Sequence, residues 1–107
     1  MAGTGVTIVS DAAALKATLD AYDSTIVFFH GDWCSYCRRI APTFDALSGT
    51  PGLVFLGVAM SGTRDELWNT YGVNSLPTFQ VWKGGRMVDQ KVGATDNELR
   101  EFVARNA

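Results

Sequence analysis

Cys34 and Cys37 are the only cysteines in the chain, set in Trp33-Cys34-Ser35-Tyr36-Cys37. Ahead of them, Thr25–His30 is β-branched and aromatic, which reads as a buried strand. After them, Cys37, Ile40, Phe44 and Leu47 recur at helical spacing. Cys34 therefore falls in a tight turn between strand and helix. Unpaired backbone N–H groups and the positive end of the helix dipole both favour thiolate there. Cys37, one turn further on, lies on the same face and can reach Cys34. One sulfur can attack a disulfide while the other releases the mixed intermediate. The spacing predicts a two-step redox site.

A zinc centre is the competing use of such a pair. Zinc takes four ligands, commonly from a second C-x-x-C or a pair of histidines. This chain has no further cysteine and one histidine, His30. A structural zinc within one chain would need His30 plus a carboxylate, a rare set; a metal bridging two chains stays open. A purely structural role for a disulfide is poor, because so small a loop restricts the unfolded chain little. The redox reading carries an expectation of no metal and no organic cofactor, the Cys34–Cys37 disulfide being the redox group.

With 107 residues, 47% of them apolar, the chain is expected to form one domain, 1–107, around one core. A net charge of −2 argues against nucleic acid or an anionic membrane as partner. No apolar run approaches transmembrane length, and Met1–Gly5 lacks the charged and apolar regions of a signal peptide. A reactive cysteine pair without a disulfide framework fits a reducing compartment. The expected setting is cytoplasmic, with an organelle after transit-peptide removal as the alternative, and the expected state is a monomer.

Around the cysteines, alternating element signals supply the scaffold. Val6–Val9 is a short strand, and Ser10 and Asp11 are helix caps ahead of Leu15, Leu19 and Tyr22 at helical spacing. Pro42 lies inside the second helix and Gly49 is its expected stop. Leu53–Ala59 reads as a central strand. Thr63–Glu66 matches a capping box before Leu67, Trp68 and Tyr71, with Gly72 as stop. Leu76–Trp82 reads as a strand, Gly84-Gly85 as a primed hairpin turn, and Arg86–Val92 as the antiparallel return. Thr95–Glu98 is a second capping box, ahead of Leu99, Phe102 and Val103. Phe44, Trp68, Trp82 and Phe102 are expected in the core. The order β-α-β-α-β-α-β-β-α predicts an α/β fold, a central mixed sheet with helices on both faces.

A C-x-x-C that closes a strand and opens a helix in such a chain resembles thioredoxin, and the match runs nearly end to end. Trp33-Cys34-x-x-Cys37 stands at the family's redox motif, Ala41-Pro42 at its helix-kinking proline, and Leu76-Pro77-Thr78 at its cis-proline loop. Lys83-Gly84-Gly85 resembles the family hairpin and Val92-Gly93-Ala94 its late glycine loop. The resemblance implies the thioredoxin fold, an exposed attacking Cys34 and a more buried, resolving Cys37. It also implies a substrate groove around Trp33, Leu76, Pro77, Gly93 and Ala94, with Ser35 and Tyr36 on its motif side. Implied partners are disulfide-containing client proteins and an electron donor, either a thioredoxin-reductase-type flavoenzyme or glutathione.

The chain departs from the family between and beneath the cysteines. Ser35-Tyr36 replaces the usual Gly-Pro, which makes the motif more like that of some glutaredoxins. The family's buried Asp falls at Phe28 and its partner Lys at Gly57. Period-two alternation puts His30 on the face of Phe28, so His30 is a candidate proton acceptor in place of the missing acid. Its plainer role is to fill the position where the family has a tryptophan. Three functions are therefore weighed. They are a dithiol oxidoreductase acting on protein disulfides, a glutaredoxin-like glutathione-dependent reductase, and a non-catalytic thioredoxin-fold binding module.

Overall fold

The computed structural model describes residues 5–107. The Met1–Thr4 segment, read above for signal-peptide features, lies outside them. Five strands and four helices alternate: β1 (Val6–Val9), α1 (Ala12–Ala21), β2 (Ser24–His30), α2 (Ser35–Leu47), β3 (Val54–Ala59), α3 (Glu66–Thr70), β4 (Thr78–Lys83), β5 (Arg86–Val92) and α4 (Asp96–Asn106). The strands lie in the order β1-β3-β2-β4-β5. The first three are parallel, as their helical crossovers require. β4 runs antiparallel to both β2 and β5.

Alternation along β2 sends its residues to two cores. Ile26 and Phe28 join Phe55 and Phe79 under Ile40 and Phe44 of α2 and Leu99 and Phe102 of α4. Val27 and Phe29 join Leu56 and Val58 under Leu15 and Leu19 of α1 and Leu67 and Trp68 of α3. Each such side chain, fully buried, contributes about 1.5–3 kcal/mol. Among the described residues, no helix is long and apolar enough to cross a membrane.

Local chemistry sets most of the boundaries. Asp11 caps α1 by accepting the Ala14 N–H at 2.8 Å. The Thr95–Glu98 box forms with both reciprocal bonds. Gly84 and Gly85 both take positive φ, 59° and 78°, as the two-residue hairpin demands.

Five details differ from the sequence expectation. Asp65 rather than Thr63 caps α3, accepting from the Leu67 N–H, while the Thr63 N–H donates to Ser61 Oγ. Ser48 caps α2, and the positive φ in that turn falls on Gly52 instead of Gly49. Leu76 and Pro77 precede β4 in a loop, so the proline removes no ladder hydrogen bond. Tyr22 is the C-cap of α1 and half exposed, because the helix ends before its periodicity does. Trp82 sits at the core margin, edge-on to Tyr71, where its indole N–H can reach Gln80 Oε1 at 2.9 Å. Phe44, Trp68 and Phe102 are buried as expected.

Candidate active site

Cys34 occupies the N-cap of α2 in an extended conformation, with the Cys37 N–H directed at its Sγ from 3.1 Å. The N-cap position arises because β2 ends at His30 and Gly31–Trp33 turn the chain back. That turn is closed by the Cys34 N–H, which donates to the Gly31 carbonyl at 3.0 Å. The two sulfurs are joined in a disulfide across a Cα–Cα separation of 5.2 Å. They are not equivalent. Cys34 is half-buried, whereas Cys37 is only 2% exposed and packs in the core under α2.

The surrounding residues fall into place around this pair. The Leu76-Pro77 peptide is cis. Leu76 is half-buried and Pro77 buried. The Pro77 carbonyl accepts the Gly93 N–H at 2.9 Å, which fastens the two loops side by side. Ala94 is buried and shares the core of Cys37, with Cys34 and Leu76 packed against the same cluster. Tyr36 donates its hydroxyl to the Ala94 carbonyl at 3.1 Å, so motif and late loop are in direct contact. Ser35 takes the first helical position and is exposed. Trp33 is 55% exposed, its apolar ring available to a partner.

Sequence reasoning passed over three residues that shape this rim. Gly31 is the seat of Trp33: a Cβ there would stand 2.7–2.8 Å from three carbons of the indole. Arg38 donates to the Asp32 carbonyl and braces the turn from outside. Arg39 lays its guanidinium over the Tyr36 ring, 4.7 Å from the centre. The Tyr36–Arg39 contact was accessible from its i, i+3 spacing. The glycine seat had a weaker signal, a glycine directly after a buried strand and two residues before a tryptophan.

Beneath the disulfide, a cleft of about 270 Å³ runs from Cys37 to the edge of the sheet. Its floor is Val6, Ile8, Phe28, Phe44 and Gly57, with His30, Asp32, Arg38 and Asp45 around it. Phe28 and Gly57 are direct partners in the β2–β3 register, so both departures from the family fall in one place. His30 packs tilted against Phe28, ring centres 4.9 Å apart, and its Nε2 would lie 3.4 Å from a Cβ at Gly57. Burial pushes the His30 pKa below its ordinary value, with Asp32 and then Asp45 pulling it partly back up. Among the described residues, no group of three or more His, Cys, Asp or Glu is placed to hold a metal ion.

The family comparison matches this architecture. The thioredoxin family profile covers residues 6–105. The chain belongs to the thioredoxin family. Thioredoxin 1 of Plasmodium falciparum (isolate 3D7) is 33% identical over 103 residues, spanning 95% of this chain and 98% of the relative. A thioredoxin of Synechocystis is 39% identical over 87 residues, 80% of this chain and 81% of the relative. The solution structure of the oxidised Plasmodium falciparum thioredoxin superposes with a TM-score of 0.86 at 32% identity, covering 95% of this chain and 99% of that one. Family and joined sulfurs together identify a protein-disulfide oxidoreductase of the thioredoxin fold, built around the Cys34–Cys37 pair. Of the three functions weighed from the sequence, this is the first.

Proposed function

We propose that this thioredoxin-family protein reduces the disulfides of client proteins, with Cys34 as the attacking thiolate and Cys37 as the resolving thiol. The unequal exposure of the two sulfurs carries this reading: Cys34 is within reach of a client at the helix start, and Cys37 is 2% exposed behind it. The Cys37 N–H supports it further, since an N–H aimed at Cys34 Sγ stabilises negative charge there once the bond is reduced.

In the reduced protein the Cys34 thiolate attacks one sulfur of the client disulfide. A Cys34–client disulfide forms and the first client thiolate leaves, taking up a proton. Cys37 then loses its proton and attacks the Cys34 sulfur. The Cys34–Cys37 bond forms, the second client thiolate departs, and two electrons have passed to the client. A buried thiol resists ionising, so the second step needs a proton acceptor. His30 fills that role through the cleft it shares with Cys37, which has room for bridging water. Trp33, Leu76, Pro77 and Gly93, with Ser35, Tyr36 and Ala94 beside them, form the groove that receives an extended client segment.

The oxidised protein is returned to the dithiol by a thioredoxin-reductase-type flavoenzyme in a reducing, cytoplasmic setting, without metal or organic cofactor. The deciding experiment is trapping. Cys37→Ser accumulates a covalent adduct with a disulfide client and Cys34→Ser does not; adducts held through Cys37 would reverse the roles.

A further inference from the structure

Tyr36 lies between the two cysteines, yet its side chain reaches a loop 58 positions away. There its hydroxyl donates to the Ala94 carbonyl at 3.1 Å. Arg39 lays its guanidinium over the same ring, 4.7 Å from its centre. The same loop is fastened to the Pro77 loop by the Gly93 N–H, bonded to the Pro77 carbonyl at 2.9 Å. Gly93-Ala94 is thus held from two directions, by the redox motif through a side chain and by the Pro77 loop through backbone. Gly93 has no side chain to anchor it and takes a φ of +66°. Ala94 is 2% exposed, so little water is at hand to replace a lost partner on its carbonyl.

We propose that Tyr36 determines client selectivity: its hydroxyl clasps the Gly93-Ala94 loop to the start of α2 and fixes the width of the groove beside Cys34. The proposal rests on the groove reading above. A small disulfide reaches the Cys34 sulfur without needing both walls. An extended protein segment needs them at a set separation, and ordering a loose wall on binding costs affinity. The clasp also occupies the Ala94 carbonyl.

Tyr36→Phe tests this by removing the hydroxyl while keeping the ring and its Arg39 contact. The measured quantity is kcat/KM for insulin divided by kcat/KM for 5,5′-dithiobis(2-nitrobenzoate). Loss of one net hydrogen bond should lower that ratio about two- to tenfold, carried by a higher KM for insulin. The Gly93 amide should exchange with solvent faster in the same variant. A ratio equal to or above the parent's overturns the proposal. So does a lower ratio with unchanged Gly93 exchange, since the hydroxyl would then be touching the client itself. Trp33→Ala judges the groove without disturbing the clasp. If that variant keeps the parent ratio, the groove reading fails and the proposal with it; if it lowers the ratio while Tyr36→Phe does not, only the clasp falls.

Discussion

Replacing His30 with phenylalanine removes one titratable group and little else. The ring packed tilted against Phe28 at 4.9 Å is kept as a ring, and the apolar floor of the cleft is untouched. In the parent, burial holds the folded imidazole below its ordinary pKa, against the opposing pull of Asp32 and Asp45. In the unfolded chain the same group titrates near 6.5. As pH falls through that value the unfolded state takes up a proton that the folded state does not. The parent therefore loses stability from about pH 6.5 downward, until the folded imidazole is protonated as well. The steepest possible slope is that of one proton, about 1.4 kcal/mol per pH unit, and partial exposure of His30 to solvent keeps the real slope below it. Asp89 and Glu98 are held below their ordinary pKa values, Asp89 chiefly by Arg105 and Glu98 by the Thr95 N–H. Their contributions are lost in more acid solution, equally in both proteins, and cancel in the difference. Urea unfolding at pH 8, 7, 6 and 5 should show His30→Phe gaining on the parent between pH 7 and 5 and running parallel to it above. A constant gap would refute the buried neutral imidazole. A parent that gained on acidification would mean that Asp32 and Asp45 dominate and the imidazolium is the favoured form.

Two further substitutions probe the site and its scaffold. Gly31→Ala places a methyl 2.7–2.8 Å from the Trp33 ring, closer than side chains approach, so the indole must leave its seat. Its emission should shift to the red and KM for protein disulfides should rise, with little loss of stability because Trp33 is already 55% exposed; unchanged emission would contradict the seat. Thr25 is fully buried with its hydroxyl lacking a hydrogen-bond partner. Thr25→Val, the same shape without the polar atom, should raise stability by about 1 kcal/mol, read as a higher urea midpoint at constant m. A lower midpoint would mean the hydroxyl is satisfied by trapped water.

What could be read in the chain is what local chemistry decides. The Cys34–Cys37 spacing, the Asp11 cap, the Thr95–Glu98 box and the Gly84-Gly85 hairpin each depend on residues within four positions of one another. All of them form. Thr63–Glu66 shows the limit of that logic. The box pattern is present, but the preceding loop commits the Thr63 N–H to Ser61 and leaves Asp65 to start a shorter helix. Trp82 shows another. The strand residues before it are buried, yet it stays at the margin beside Gln80, a polar residue buried because the Tyr71 carbonyl, Gln90 and Trp82 together satisfy its amide. Contacts such as Tyr36 with Ala94, or the stacking of Phe28 on Phe79, join segments far apart in sequence. They depend on strand order, and periodicity reports which face a residue takes but not what lies opposite.

The apolar floor of the cleft has an electrochemical consequence. Reducing a disulfide to two thiols takes up two electrons and two protons, which moves the midpoint potential by about 59 mV per pH unit. A carboxylate buried against the sulfurs would change its own protonation as they cycle and bend that line. Here Phe28 and Gly57 form the floor beside Cys37, while Asp32 and Asp45 are exposed at the rim. Departures from the straight line are left to the two thiols and to His30. A redox titration of this chain across pH therefore reads its sulfur chemistry with little interference from buried acids.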